Sequence, residues 1–340
     1  MKKPSILTLH TENEPHILDH IAPLADLLNV PLILNDEECY EKARFFYPNQ
    51  KIELKESLEF SFQEIKERAD TLISCKYWQP HLSSLFQDLY QKKISFIFCP
   101  HGQSDKGFQA PLLAPYITQE KVFLYGNLQK EMLEELNLWQ KIQSYHFIGN
   151  YRLHHYQKNK AFFTKIAEEK IFSHLKKELP TLLYAPTWND SDQASSFFTL
   201  SQKLAQEMPS DWNLIVKPHP LLEKRSTGAY YKALRALEKI PRLLLVDDFP
   251  PIYPLLEKVD AYLGDASSIG YDFLFFNRPL FFSTPTHLYK GPIRECGHSL
   301  NEKEKLYHLL EKKEEPSFQE KKEKLYQKAF KNFLEPNFFF

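Results

Sequence analysis

Short runs of apolar residues recur along this chain, separated by stretches in which apolar positions return every three or four residues. The runs are "SILTLH" (5–10), "VPLIL" (30–34), "TLISC" (71–75), "ISFIFC" (94–99), "KVFLYG" (121–126) and "YHFIG" (145–149). Between them, His16 to Leu28 and Leu82 to Gln91 carry apolar residues at helical spacing. Strands alternating with helices predict βαβ units and a parallel sheet buried on both faces. The alternation pauses at a charged helical stretch, Ala161 to Glu178, and then restarts. The second series is "TLLYAPTW" (181–188), "NLIVKPHP" (213–220), "RLLLVDDF" (242–249), "AYLGDASS" (261–268) and "RPLFFS" (278–283). A tail dense in Lys and Glu, Asn301 to Leu334, reads as helices. The pattern predicts two α/β domains, residues 1–155 and 156–300. The helical tail, 301–340, belongs to the second domain or crosses back to the first.

Composition narrows the function classes. With 340 residues, two domains are the natural division. Lys and Arg (43) nearly balance Asp and Glu (44), which gives no support to a nucleic-acid protein built on a basic surface. Cys39, Cys75, Cys99 and Cys296 show neither CxxC spacing nor a disulfide framework. No apolar leader and no run of 18 apolar residues is visible, so a cytoplasmic chain is expected. The only Gly-rich or nucleophile motifs that would mark dinucleotide oxidoreductases, P-loop ATPases or α/β-hydrolases are absent. Metal-ligand spacing is absent too, so neither a metal nor a cofactor is expected.

In both halves, polar and special residues crowd just after an apolar run, where ligands of open parallel sheets lie. "PHGQSDKG" (100–107) puts His101 at a strand tip, turned there by Pro100 and Gly102, with Lys106 close enough to meet an anion. A histidine in that position can act as a general base or simply bond a neighbouring carbonyl. "GDASSIGYDF" (264–273) sets Ser267 and Ser268 at a helix start, flanked by Asp265 and Asp272. That suits an anion or an ordinary serine cap. "VKPHP" (216–220) presents Lys217 and His219, a cationic spot for a diphosphate or a plain surface turn. "YAPTWNDSD" (184–192) offers Thr187 to a phosphate oxygen, and "GNYRLHHY" (149–156) offers Arg152 as an anion partner.

Taken in order, these pieces resemble the CDP-glycerol glycerophosphotransferases, the teichoic-acid primases and polymerases. The family pattern HGTPxK resembles His101-Gly102-Gln103-Ser104-Asp105-Lys106, and YAPTW and K-x-H-P are matched by residues 184–188 and 217–220. D-x-S-S-x-x-x-D is matched by Asp265, Ser267, Ser268 and Asp272; "RPLFF" follows as KPIIF does, and "GNYR" resembles a G-x-PR junction. The resemblance implies a GT-B-like fold, two Rossmann-like parallel-sheet domains facing an interdomain cleft. It implies an acceptor-side first domain and a donor-binding second domain. His101 would be the base, and His219, Lys217, Thr187, Ser267 and Ser268 would hold the diphosphate of a CDP-linked donor. Attack on the β-phosphorus would release CMP.

Gln103-Ser104 in place of Thr-Pro, Asn189 in place of Arg and Tyr151 in place of Pro depart from the pattern near the expected substrates. Two other readings therefore stay open: a nucleotide-sugar glycosyltransferase of the same architecture (or a related 2-epimerase), and a binding protein that has lost turnover. The family works at the inner membrane face on lipid-linked acceptors, which makes a polyol-phosphate or glycan acceptor and a peripheral membrane contact the expected partners. In the tail, Leu325, Tyr326, Ala329, Phe330, Phe333 and Leu334 share a helical face that would pack on the protein or lie on anionic lipid.

Overall fold

The computed structural model describes residues 6–10, 12–77, 79–188, 195–283, 291–300, 303–312 and 314–331. Two compact units divide the chain. One comprises residues 1–103, 107–159 and 328–340, the other residues 104–106 and 160–327.

In the first unit the strands are β1 (Ile6–His10), β2 (Leu32–Leu34), β3 (Ile52–Leu54), β4 (Thr71–Ser74), β5 (Ser95–Phe98), β6 (Lys121–Leu124) and β7 (Tyr145–Phe147). Its helices are α1 (Pro15–Leu28), α2 (Glu37–Phe46), α3 (Leu58–Arg68), α4 (Gln79–Tyr90), α5 (Ala110–Leu113), α6 (Asn127–Glu135) and α7 (Tyr151–Lys158). Among the described residues the sheet is seven-stranded and parallel, in the order β3-β2-β1-β4-β5-β6-β7. Apolar strands fill its centre: Leu7, Leu9, Leu72, Ile73 and Val122 are buried. Pro15 opens α1, where its missing N–H costs nothing, and Asn29 closes it in the left-handed conformation (φ 53°).

The second unit holds α8 (Lys160–Lys170), β8 (Thr181–Ala185), α9 (Phe197–Glu207), β9 (Asn213–Val216), α10 (Pro220–Leu237), β10 (Leu243–Leu245) and α11 (Tyr253–Lys258). It continues with β11 (Ala261–Gly264), α12 (Ser268–Phe273), β12 (Leu280–Phe282), β13 (His298–Ser299), α13 (Leu306–Leu310) and α14 (Pro316–Ala329). Among the described residues its parallel sheet runs β10-β9-β8-β11-β12-β13. Its core packs Leu182, Tyr184, Leu214, Val216 and Leu263 against Phe197 and Leu204 of α9 and Leu222 and Leu237 of α10.

Both sheets are doubly wound, and in both the strand order reverses beside the first strand, between β1 and β4 and between β8 and β11. Ligands of such sheets bind at that reversal, beyond the carboxyl ends of the strands. The apolar runs all became strands. β3 and β13 did not stand out in sequence: β3 is a three-residue edge strand whose Glu53 pairs with Arg68, and β13 is two residues long. The charged stretch beginning at Ala161 is α-helical to Lys170, and a single 3-10 turn follows at Phe172–His174.

The tail packs on the protein. Leu325, Ala329 and Phe330 are buried, the Phe330 ring meets Tyr125 edge-on at 5.6 Å, and Lys331 N–H donates to the Tyr125 carbonyl at 3.0 Å. Gly126 is required there, because a Cβ would lie 2.6 Å from the Ala329 carbonyl oxygen. Phe333 and Leu334 lie outside the described residues. Among the described residues no helix is long and apolar enough to cross a membrane.

Arg152 lies in the first unit, on α7. Its guanidinium is buried in the first unit, ion-paired with Asp19 and donating through Nε to the Asp19 carbonyl at 2.9 Å. It fastens α7 to α1. Asp19→Ala would leave that cation buried without its counter-charge, and a loss of about 3–5 kcal/mol is expected in urea unfolding. A loss under about 1 kcal/mol, as for a surface pair, would show that the pair is not what joins these helices.

Candidate active site

In the first unit the carboxyl ends of β1, β4 and β5 carry a group of titratable side chains. β1 ends in His10, α1 supplies His16 and His20, Lys76 follows β4, and His101 follows β5. Lys76 bridges Glu12 (2.7 Å) and Glu14 (2.6 Å), and their proximity sets the charge of the neighbourhood.

The His101 loop is built around one phenol. Tyr125 donates its hydroxyl proton to the Pro100 carbonyl at 3.0 Å and accepts from Gly102 N–H at 3.1 Å. A hydroxyl has one proton, so at the 3.3 Å contact it is His20 Nδ1–H that donates to the same oxygen. Gly102 has φ 121°, a conformation other residues rarely adopt, which is why glycine stands there. The His101 side chain is exposed, and its ring meets that of His20 edge-on at 6.3 Å. Protein around the imidazole strips part of its hydration. That desolvation, then the Lys76 charge, lowers its pKa below 6.5, and Glu14 opposes them. The ring is therefore neutral near pH 7, the form in which it takes up a proton.

In the second unit the expected residues follow the two strands at the reversal, β8 and β11, and the adjacent β9. Thr187 follows β8, His219 and Lys217 follow β9, and Asp265 to Ser268 follow β11. Asp265 is fully buried and organises the group. Its carboxylate accepts from Thr187 N–H (2.8 Å), Ser196 N–H (3.3 Å) and the Ser283 hydroxyl (3.2 Å). Asp272, also buried, accepts from the Tyr253 hydroxyl at 2.7 Å. Both carboxylates thus position loops and helices by binding protein donors.

Ser267 stands at the N-cap of α12, yet its hydroxyl does not cap the helix; it pairs with the Tyr262 hydroxyl at 3.2 Å. Ser268 is half-buried. His219 caps α10 through its ring: Leu221 N–H donates to Nδ1 at 3.2 Å, so a neutral ring keeps its proton on Nε2. Lys217 donates to the Phe249 carbonyl at 2.7 Å, tying the end of β9 to the loop after β10.

Lys106, a candidate acceptor-side or cleft residue, groups with the second unit. Its ammonium is buried 4.7 Å from the centre of the Trp188 ring, and the Arg225 guanidinium lies 4.5 Å from the same ring. Trp188 belongs to a stretch whose chemistry was ascribed to Thr187 alone. Its indole and Arg225 are additions that one-dimensional spacing could not supply. Asn189 to Asp192 lie outside the described residues. Among the described residues no three His, Cys, Asp or Glu side chains converge so as to hold a metal ion.

Residues 147–330, just over half of the chain, match the family model described as CDP-glycerol:poly(glycerophosphate) glycerophosphotransferase. No curated protein matches the chain significantly in sequence. Among solved structures, the wall teichoic acid polymerase TagF superposes with a TM-score of 0.63 at 15% identity, over 96% of this chain and 84% of that chain. A TagF variant soaked with CDPG gives 0.62 at 14% identity, with the same coverage. Anabaena Alr3699/HepE in complex with UDP and glucose gives 0.56 at 9% identity, over 96% of this chain and 95% of that chain. The architecture is therefore GT-B-like, with two Rossmann-like parallel-sheet units.

The first unit's histidines make its stability sensitive to acid. Burial lowers His10 and His16 to about 4 and holds His20 well below 6.5. The unfolded chain protonates them near 6.5, so between pH 6.5 and 4 it binds more protons than the folded one. Stability falls through that window and is insensitive to these groups above it. Between pH 7.5 and 5, His10→Gln is expected to remove about 2 kcal/mol of that pH dependence. Urea midpoints at pH 7.5 and 5 would measure it, and an unchanged difference in the variant would exclude His10 as a source.

Proposed function

The chain belongs to the CDP-glycerol:poly(glycerophosphate) glycerophosphotransferase family, and from that premise we propose how its residues divide the transfer of glycerophosphate from CDP-glycerol. The second unit holds the donor. Thr187, Ser267 and Ser268, at the ends of β8 and β11, contact the diphosphate, with the cationic Lys217 behind them. His219 donates from Nε2 to a phosphate oxygen, the tautomer that its capping role selects. Support comes from position: Thr187, Ser267 and Ser268 follow the two strands at the reversal of a doubly wound sheet, Lys217 and His219 follow the adjacent β9, and all lie inside the segment that matches the family.

The first unit supplies the base. His101 takes the proton of an acceptor hydroxyl, and the hydroxyl oxygen forms a bond to the β-phosphorus. The bond from that phosphorus to the bridging oxygen breaks, and CMP leaves with the oxygen. Transfer of this kind rests on positioning and on charges that stabilise the phosphoryl oxygens. The acceptor we assign is a polyol phosphate or glycan chain, lipid-linked at the inner membrane face, as the family resemblance implies. Burial of Leu325, Ala329 and Phe330 removes that part of the tail from any lipid contact.

A thermal-shift series of CDP-glycerol, CDP-ribitol and UDP-glucose tests the donor. Stabilisation by the CDP-alcohols is expected, and stabilisation by UDP-glucose alone would replace this reading with a glycosyltransferase. His101→Ala is expected to keep donor affinity and to lose roughly 10²–10⁴-fold in turnover, the range of general-base catalysis.

The pH profile follows from the ring's environment. Rate requires neutral His101, so kcat/KM rises with pH through an apparent pKa below the ordinary 6.5. A limb centred above 6.5 would assign the base to another group.

A further inference from the structure

Three consecutive residues of the His101 loop, Ser104, Asp105 and Lys106, group with the second unit, although the chain on either side belongs to the first. Each reaches a different part of the donor half. The Ser104 hydroxyl donates to the Ala266 carbonyl at 3.2 Å, in the loop between Asp265 and Ser267. The Asp105 carboxylate accepts from the Tyr271 hydroxyl on α12. Lys106 lies against Trp188, which follows Thr187. Within the triplet, Lys106 N–H donates to Ser104 Oγ at 3.2 Å.

Asp105 is the least expected of them. It is fully buried, and its carboxylate lies on the Cα of Gly291 so closely that any side chain at 291 would overlap it. Desolvation raises its pKa to about 6, with the Tyr271 hydrogen bond and then the Arg294 charge acting in the opposite sense. Folding has thus buried an ionisable group at a cost, beside the residues assigned to the donor diphosphate. An apolar residue would fill the same space without that cost.

We infer that Asp105 is a positioning residue of the donor site: through Tyr271 it locks α12 to the Ser104–Lys106 segment, and so sets Lys106, Trp188 and the Ser267–Ser268 backbone in one fixed arrangement. It touches no reacting atom. Its effect falls on how well the free protein is organised for the diphosphate, which appears in donor binding before it appears in turnover. The inference rests on the donor reading given above.

The experiment is donor calorimetry and steady-state kinetics with CDP-glycerol on the full chain. Melting temperatures are recorded for every variant. Wild-type binding comes first, because failure to bind CDP-glycerol would remove the donor reading itself. Given wild-type binding, Asp105→Ala is expected to raise the donor Kd and KM about tenfold with kcat changed less than threefold. Asp105→Asn retains an acceptor for Tyr271 and should recover most of that loss. Gly291→Ala displaces the carboxylate by a different route and should reproduce the alanine variant. A lower melting temperature with wild-type donor Kd in the folded Asp105→Ala and Gly291→Ala variants would overturn the inference, leaving Asp105 a packing residue. Equal losses in Asp105→Ala and Asp105→Asn would overturn it too, since the charge rather than the hydrogen bond would then be at work. Should Asp105→Ala fail to fold, Tyr271→Phe removes only the donating hydroxyl; an unchanged donor KM in that variant would overturn the inference.

Discussion

The second unit's site depends on where a single buried carboxylate finds its hydrogen bonds. A charge out of solvent costs several kcal/mol unless protein donors replace the lost water. Asp265 meets that demand with Thr187 N–H from the loop after β8, Ser196 N–H at the start of α9 and the Ser283 hydroxyl after β12. The geometry follows from strand order. β11 lies between β8 and β12, so the residue that leaves β11 is the one that can reach connections on both sides. One acid therefore gathers loops far apart in sequence, and the hydroxyls of Thr187, Ser267 and Ser268 inherit their places from it.

The first unit organises its loop with a neutral group instead. The Tyr125 hydroxyl engages Pro100, Gly102 and His20. The difference matters chemically. A carboxylate in its place would favour imidazolium and lift the His101 pKa, whereas a phenol fixes the backbone without adding a charge. Lys76 and desolvation then tilt His101 toward the neutral form. The loop is held through its main chain while the ring itself stays exposed to solvent.

The chain displayed in one dimension most of what decides its fold. Strands buried on both faces must be apolar throughout, so runs such as "ISFIFC" and "AYLG" stood out. β3 and β13 did not, because an edge strand of two or three residues has little apolar surface to bury. The site was partly legible for the same reason: loops at strand ends carry polar residues that the core does not require. What spacing could not show was the direction in which each side chain points. Arg152 has the chemistry of an anion partner but is bound to Asp19, 133 positions away. Asp265 and Asp272 have the chemistry of site acids but serve amides and a phenol. Partners so distant in sequence leave no local periodicity to read.

The departures from the family pattern acquire a physical meaning from the same contacts. Gln103 and Ser104, expected to face substrate, are turned into the protein. Gln103 is buried with its amide against Met132 Sδ at 3.5 Å, and Ser104 is bonded to Ala266 and Lys106. Tyr151 is core, stacked on Tyr125 at 6.0 Å and donating to the His20 carbonyl at 3.0 Å. A proline at position 104 would stiffen the loop by fixing its own φ, but it has no hydroxyl to give Ala266 or to receive from Lys106. Serine forgoes that stiffness and replaces it with two hydrogen bonds, and Asp105 adds a third through Tyr271. Loop rigidity is thus moved from a ring in the backbone to bonds with neighbouring elements. These substitutions change how the loop is held.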